Sequence, residues 1–227
     1  MYTLVLLSGG TGNRMKKDVP KQYLLLAGKP VIMHTLERID RISEVEKVVV
    51  VCEEKYVSSI QLMVEQYNIK TPIAYAQAGK TRQESVKSGL EQVITENVIL
   101  HEAARPFVAE EDFKALIADK ATNAIYGAPI PFTVLKGTDA VEDILNRSEL
   151  VNVQLPQKFD VKVLKAAHDM AEESDVQFTE DASLVHYYYP KETIRILEGK
   201  DYNVKLTTPM DLITGEMIYK EYFARRK

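Results

Sequence analysis

Four consecutive valines, Val48 to Val51, stand inside the stretch 47–52. β-Branched side chains are stiff about χ1 and sit well on a pleated surface, so this run reads as a strand. Thr3–Leu7, Ile73–Ala76, Asn97–Leu100 and Ala124–Ile130 are further short runs of the same kind. Between them lie Pro30–Ile39, Tyr56–Tyr67, Thr81–Val93 and Glu110–Lys120, which read as helices. Val31, Ile32, Leu36 and Ile39 make an apolar face on the first, and Val86, Leu90 and Val93 are in register on the third. Strand and helix alternate as far as residue 130. That rhythm predicts an α/β fold, a mostly parallel twisted sheet with helices on both faces.

After residue 130 the rhythm breaks. The segment 132–156 has no clean helix and reads as a β-excursion packing outside the main sheet. Val161–Glu173 restores a helix, Ile194–Leu197 and Asn203–Leu206 resemble late strands, and Pro209–Tyr222 a final helix with Thr208 as its N-cap. The expected organisation is a single domain over 1–227 with 132–156 as a subregion. At 227 residues, a chain can bury roughly 70% of its unfolded surface and needs no covalent staple. Cys52 is the sole cysteine, which excludes an internal disulfide and a multi-cysteine metal site.

A net charge of −4 argues against a broad nucleic-acid face, which is basic. It leaves room for an anionic small molecule held by local positive charge. No apolar run reaches the ~18 residues of a membrane span, and the first ten residues lack the basic start of a signal peptide. The expectation is a cytoplasmic protein with neither nucleic acid nor membrane as partner.

Glycine is sparse, at 10 residues in the whole chain, yet Gly9, Gly10 and Gly12 crowd into four positions directly after Thr3–Leu7. Such a turn lets the backbone approach a ligand closely and aim successive N–H groups at phosphate oxygens. Two phosphate fingerprints fail. A dinucleotide loop needs a glycine where Met15 stands, and a P-loop needs a closing Gly-Lys-Ser/Thr. Arg14, Lys16, Lys17 and Lys21 then bring four cations within eight residues, which suits a polyphosphate.

The stretch from Leu6 through Ser8-Gly9-Gly10-Thr11-Gly12-Asn13-Arg14-Met15 to Pro20-Lys21-Gln22-Tyr23-Leu24 resembles the N-terminal signature of the polyol-phosphate cytidylyltransferases. That family includes the 2-C-methyl-D-erythritol 4-phosphate and ribitol-5-phosphate enzymes. Five later segments extend the likeness in the family's order: Gly79–Val86, His101–Phe107, Leu155–Phe159, Thr179–Ser183 and Asn203–Thr207. The resemblance implies a Rossmann-like nucleotidyltransferase fold and transfer of CMP from CTP to a polyol phosphate, with Mg2+ bridging the triphosphate. It assigns catalytic charge to Arg14, Lys21 and Lys205. It assigns CTP to Ser8, Gly9, Gly10, Gly12, Gly79, Lys80, Ser85, Ala103 and Arg105. It assigns the acceptor to Glu102, Thr133, Arg147 and Thr179, with Glu102 also considered for the metal. Glu102 stands where the family has aspartate. His101 is expected to support the strand end without touching ligand. The segment 132–156 becomes a β-arm that embraces a second subunit in a homodimer, bringing an arginine like Arg147 to the partner's site.

Val134 and Leu155 replace family threonines. The loss of two hydroxyls, together with a Gly9–Met15 loop that resembles the ribitol-phosphate branch more closely, favours a ribitol-type acceptor, with 2-C-methyl-D-erythritol 4-phosphate as the alternative. The remaining rivals are a sugar-phosphate nucleotidyltransferase for another base and a regulatory nucleotide-binding module. A bifunctional enzyme is disfavoured, because 227 residues leave no room for a second catalytic domain.

Overall fold

The computed structural model describes residues 1–10 and 19–224. Strand β1 (Tyr2–Leu7) leads to a two-residue pair, β2 (Leu25–Leu26) and β3 (Lys29–Pro30). Helix α1 (Val31–Ile39), β4 (Val45–Cys52), α2 (Val57–Gln66), β5 (Ile73–Gln77), α3 (Arg82–Leu90), β6 (Asn97–Glu102), α4 (Glu110–Ala118) and β7 (Asn123–Pro129) continue the alternation. Then come β8 (Val134–Lys136), β9 (Asp143–Leu145), β10 (Val151–Asp160), α5 (Val161–Glu173), α6 (Asp181–Tyr188), β11 (Ile194–Glu198) and α7 (Pro209–Ile218). Among the described residues the main sheet has seven strands in the order β11-β7-β10-β6-β1-β4-β5. Only β10 runs antiparallel to its neighbours.

The valine run shows why the sheet is buried on both sides. Successive side chains of a strand point to opposite faces. Val48 and Val50 join Leu4, Leu6 and Ile99 in a core closed by α1, α2 and α4. Val49 and Val51 join Val5, Val98 and Leu100 in a second core closed by α3, α5 and α6. A strand covered on both faces needs no polar alternation, which is why the run is continuous.

Three expectations need correction. First, the segment 132–156 does not lie wholly outside the sheet. Strands β8 and β9 form an exposed hairpin, but β10 enters the main sheet between β7 and β6. Its buried face includes Gln154, Gln157 and Lys158, so no apolar run announces it. Each finds a partner: Gln154 Nε2 donates to the Lys200 carbonyl (3.0 Å), Gln157 Nε2 to Glu180 Oε1 (2.6 Å) and Lys158 Nζ to the Asp119 carbonyl (2.6 Å). Pro156 falls where the pairing with β7 shifts register, a place that tolerates a missing N–H. Second, the stretch 203–206 is not a strand. It bonds to loops instead, through Leu206 N–H to the Ala104 carbonyl (2.8 Å) and Asn203 Nδ2 to the Leu155 carbonyl (2.6 Å). Third, the sequence reading passed over α6, whose N-cap Glu180 accepts from the N–H groups of Ala182 and Ser183 at 3.0 and 2.9 Å.

The chain lays β4 and β5 on one side of β1, then crosses to place β6 on the other. Loops leaving β1 and β6 therefore diverge at their C-terminal ends, and such a switch point opens a crevice. Among the described residues no helix is long and apolar enough to cross a membrane.

Candidate active site

A cleft of about 430 Å³ opens at that switch point, within the size range of small-ligand sites. Ser8, Gly9 and Gly10 after β1, Gly79 and Lys80 after β5, and Glu102 at the end of β6 all line it. Lys21 enters from a short 3-10 helix and Lys205 from the irregular 203–206 stretch. Of the expected triphosphate residues, Gly12 and Arg14 lie outside the described residues.

The glycine turn is held in place by its neighbours. Gln22 Nε2 donates to the carbonyls of Ser8 (2.6 Å) and Gly10 (3.1 Å), and Ser8 Oγ bonds the Tyr23 hydroxyl at 3.2 Å. A Cβ on Gly9 would stand 2.3 Å from Ala78 Cβ, whereas one on Gly10 would meet open space. Gly9→Ala must therefore push the turn away from the loop after β5. The expected cost is about 1–3 kcal/mol in urea unfolding, with none for Gly10→Ala. Equal stability of the two variants would refute this reading of the turn.

The loop after β5 is built the same way. A Cβ on Gly79 would lie 2.3 Å from Glu84 Cβ. Thr81 Oγ1 accepts from the Glu84 N–H (3.1 Å) as N-cap of α3, and Glu84 Oε2 accepts from the Lys80 N–H (2.8 Å). Ser85, expected on the nucleotide, lines the cleft but is engaged within the loop. Its hydroxyl donates to the Thr81 carbonyl (2.8 Å) and accepts from the Gly79 N–H (3.0 Å). One lone pair is left for a ligand.

Glu102 is the centre of charge. Its Oε2 pairs with Lys205 Nζ at 2.6 Å and lies 3.9 Å from Arg105 Nε, while Oε1 accepts from Arg82 Nε at 3.3 Å. Burial would raise its carboxyl, but Lys205, Arg82 and Arg105 outweigh burial and hold it below the usual carboxylate range. Three cations already compensate this carboxylate, so a divalent ion would have to displace one of them. Among the described residues no group of three or more acidic, histidine or cysteine side chains could hold a metal. The donor set fits an ion carried in by a polyphosphate rather than a resident one.

Ala103 and Arg105 stand behind the cleft wall. The Ala103 N–H is used by the Leu7 carbonyl (3.0 Å), and Arg105 Nη1 donates to the Asn203 carbonyl (3.1 Å). His101 is fully buried, bonds the Arg105 carbonyl through Nε2 (3.1 Å) and meets the Phe113 ring edge-on. Of the four acceptor residues Glu102 alone lines this cleft: Thr133, Arg147 and Thr179 are exposed and line no part of it. Arg147 Nη1 instead donates to the Pro131 carbonyl at the base of the hairpin (2.6 Å).

Sequence reading gave no role to Arg82 or Asp181, though both fall inside motifs it singled out. Arg82 bridges Glu102 and the buried Asp181. Burial lowers the Arg82 guanidinium, but the two carboxylates overcome this and raise it. A cation opening a helix and an acid opening another were the available signals.

The family model described as IspD, 2-C-methyl-D-erythritol 4-phosphate cytidylyltransferase, matches residues 2–221. The chain belongs to this family. It is a CTP-dependent cytidylyltransferase. Among the family's 2-C-methyl-D-erythritol 4-phosphate cytidylyltransferases, that of Bacillus cytotoxicus is 37% identical over 220 residues, covering 95% of this chain and 96% of the relative. The chloroplastic one of Oryza sativa subsp. japonica is also 37% identical, over 226 residues, 96% of this chain and 74% of the relative. The crystal structure of 4-diphosphocytidyl-2C-methyl-D-erythritol synthase from Anaerococcus prevotii superposes with a TM-score of 0.86 at 27% identity, covering 96% of both chains. The superposed structure shares the mostly parallel, Rossmann-like nucleotidyltransferase sheet read from the sequence.

Proposed function

We propose that the chain transfers CMP from CTP to 2-C-methyl-D-erythritol 4-phosphate, a step of isoprenoid precursor synthesis. The observation that carries this is a family match running from residue 2 to 221. A phosphate oxygen of the acceptor attacks the α-phosphorus of CTP. The bond from that phosphorus to the bridging oxygen breaks, and the oxygen leaves with pyrophosphate. Such a reaction asks for positioning and charge stabilisation rather than a protein nucleophile. Lys21 and Lys205 face the cleft and supply positive charge where negative charge collects. Arg14 is proposed to join them. Glu102 holds the Lys205 ammonium at the cleft until the triphosphate arrives, and its carboxylate can also orient acceptor hydroxyls. Mg2+, held by triphosphate oxygens and water, would neutralise part of the charge. Thr133, Arg147 and Thr179 are proposed to meet the acceptor, the first two across a homodimer formed through the hairpin.

The sequence favoured a ribitol-type acceptor on the strength of Val134, Leu155 and the likeness of the glycine loop to the ribitol-phosphate branch. Leu155 packs in the second core and lines no part of the cleft, so that part of the support falls away. The relatives support the methylerythritol reading instead. Pyrophosphate release should be at least about a hundredfold more efficient, by kcat/KM, with 2-C-methyl-D-erythritol 4-phosphate than with ribitol 5-phosphate, as a site built for particular hydroxyls discriminates. The reverse preference would overturn the assignment, and turnover with UTP alone would overturn the choice of base.

A further inference from the structure

We propose that His168 is a positioning residue for the transfer, fixing Arg82 against Glu102 through Asp181. The proposal rests on reading the cleft as the transfer site. His168 on α5 and Asp181 at the start of α6 are each 1% exposed. A carboxylate so buried is costly unless its oxygens are all engaged. Asp181 Oδ2 accepts from Arg82 Nη1 at 2.5 Å, and Oδ1 pairs with His168 Nε2 at 3.0 Å. Two partners on two oxygens fix the plane of the carboxylate. Burial would raise the Asp181 carboxyl, but Arg82 and then the His168 bond hold it low. His168 Nε2 faces a carboxylate oxygen and so donates to it, and among the described residues Nδ1 has no hydrogen-bond partner, so the ring's one hydrogen bond there goes to Asp181.

The line of contacts continues to the cleft. Arg82 reaches Glu102 through Nε at 3.3 Å, a longer contact than the one it makes with Asp181. Glu102 then offers its other oxygen to Lys205 at 2.6 Å. If Asp181 could rotate, the guanidinium fork would be free to turn two N–H groups onto Glu102, the geometry that arginine and carboxylate prefer. Arg82 would then compete with Lys205 for the same charge. His168 thus governs how Glu102 is shared between an arginine in the wall and a lysine in the cleft. A buried imidazole with only a packing role would need no such alignment.

The test uses the full chain with His168→Leu, which removes the donor at similar volume, and His168→Gln, which keeps an N–H at comparable reach. The expected result is about a tenfold fall in kcat for the leucine variant, with the KM for CTP within about twofold, since small displacements of charged groups act on the transition state. The glutamine variant should recover to within about threefold of wild type. In an Arg82→Gln background the leucine substitution should cost nothing more. Three results overturn the proposal: a leucine variant with wild-type kcat, equal losses in both variants, or an undiminished loss in the Arg82→Gln background. Should His168→Leu fail to fold, Asp181→Asn takes its place with the same expected loss in kcat. A wild type inactive with CTP and every polyol phosphate tried would bring down the transferase reading as well; an active wild type indifferent to His168 brings down this proposal alone.

Discussion

Lys21→Ala is expected to lower kcat by about 10²–10³-fold, or roughly 3–4 kcal/mol of transition-state stabilisation, as for the loss of one preorganised charge donor. The affinity for CTP should change only a few fold. Lys21 is 8% exposed and lines the cleft. Its backbone is fixed on both sides, by Pro20 and by Gln22, whose amide clamps the carbonyls of Ser8 and Gly10. A cation held this firmly costs little to reorganise when charge moves toward the leaving pyrophosphate. Interactions that strengthen only at that moment appear in kcat rather than in binding. Steady-state kinetics with a separate CTP titration separate the two quantities. Unchanged turnover would remove Lys21 from the chemistry, and a loss confined to CTP affinity would make it a binding residue only.

The second large effect is a loss of stability in mild acid. Burial pushes the His101 imidazole down to about 3 and that of His34 to about 4. Both are 3% exposed or less. In the unfolded chain a histidine titrates near 6.5. As pH falls below that value, the unfolded state takes up protons that the folded state refuses, so stability falls. Each histidine should cost roughly 2 kcal/mol between pH 7 and pH 5. Glu102 and Asp181, both held low, shift stability in the same direction only at more acid pH. The interval from 7 to 5 thus isolates the histidines. Urea midpoints across it, with and without His34→Gln, measure the effect, and the substitution should remove about half of it. A flat profile would mean that both rings take up protons inside the fold.

Much of this molecule was legible in its residues because burial on two faces leaves a plain mark. The valine run, the glycine turn and the helices after each strand needed no structure to be read. What stayed hidden was polar. Strand β10 buries Gln154, Gln157 and Lys158 against partners 23 to 46 positions away, and no local pattern records such a match. Leu155 looked like a pocket residue because its neighbours in sequence form a motif, yet its side chain points into the core. The tie from Arg82 to Asp181 spans 99 positions, so each residue looks like a surface charge until the fold joins them.

The position of β1 sets a timetable. Of the strands of this sheet, β1 is made first; it ends between β4 and β6, and β6 closes about 95 residues after Leu7. On a ribosome adding roughly 5–20 residues per second, that is a wait on the order of 5–20 s. Throughout it, Leu4, Val5 and Leu6, all fully buried in the finished protein, have an open flank. Pairings this distant also fold slowly once synthesis ends. During synthesis the sheet is thus most exposed to wrong partners at β1, the strand that leads directly into the glycine turn.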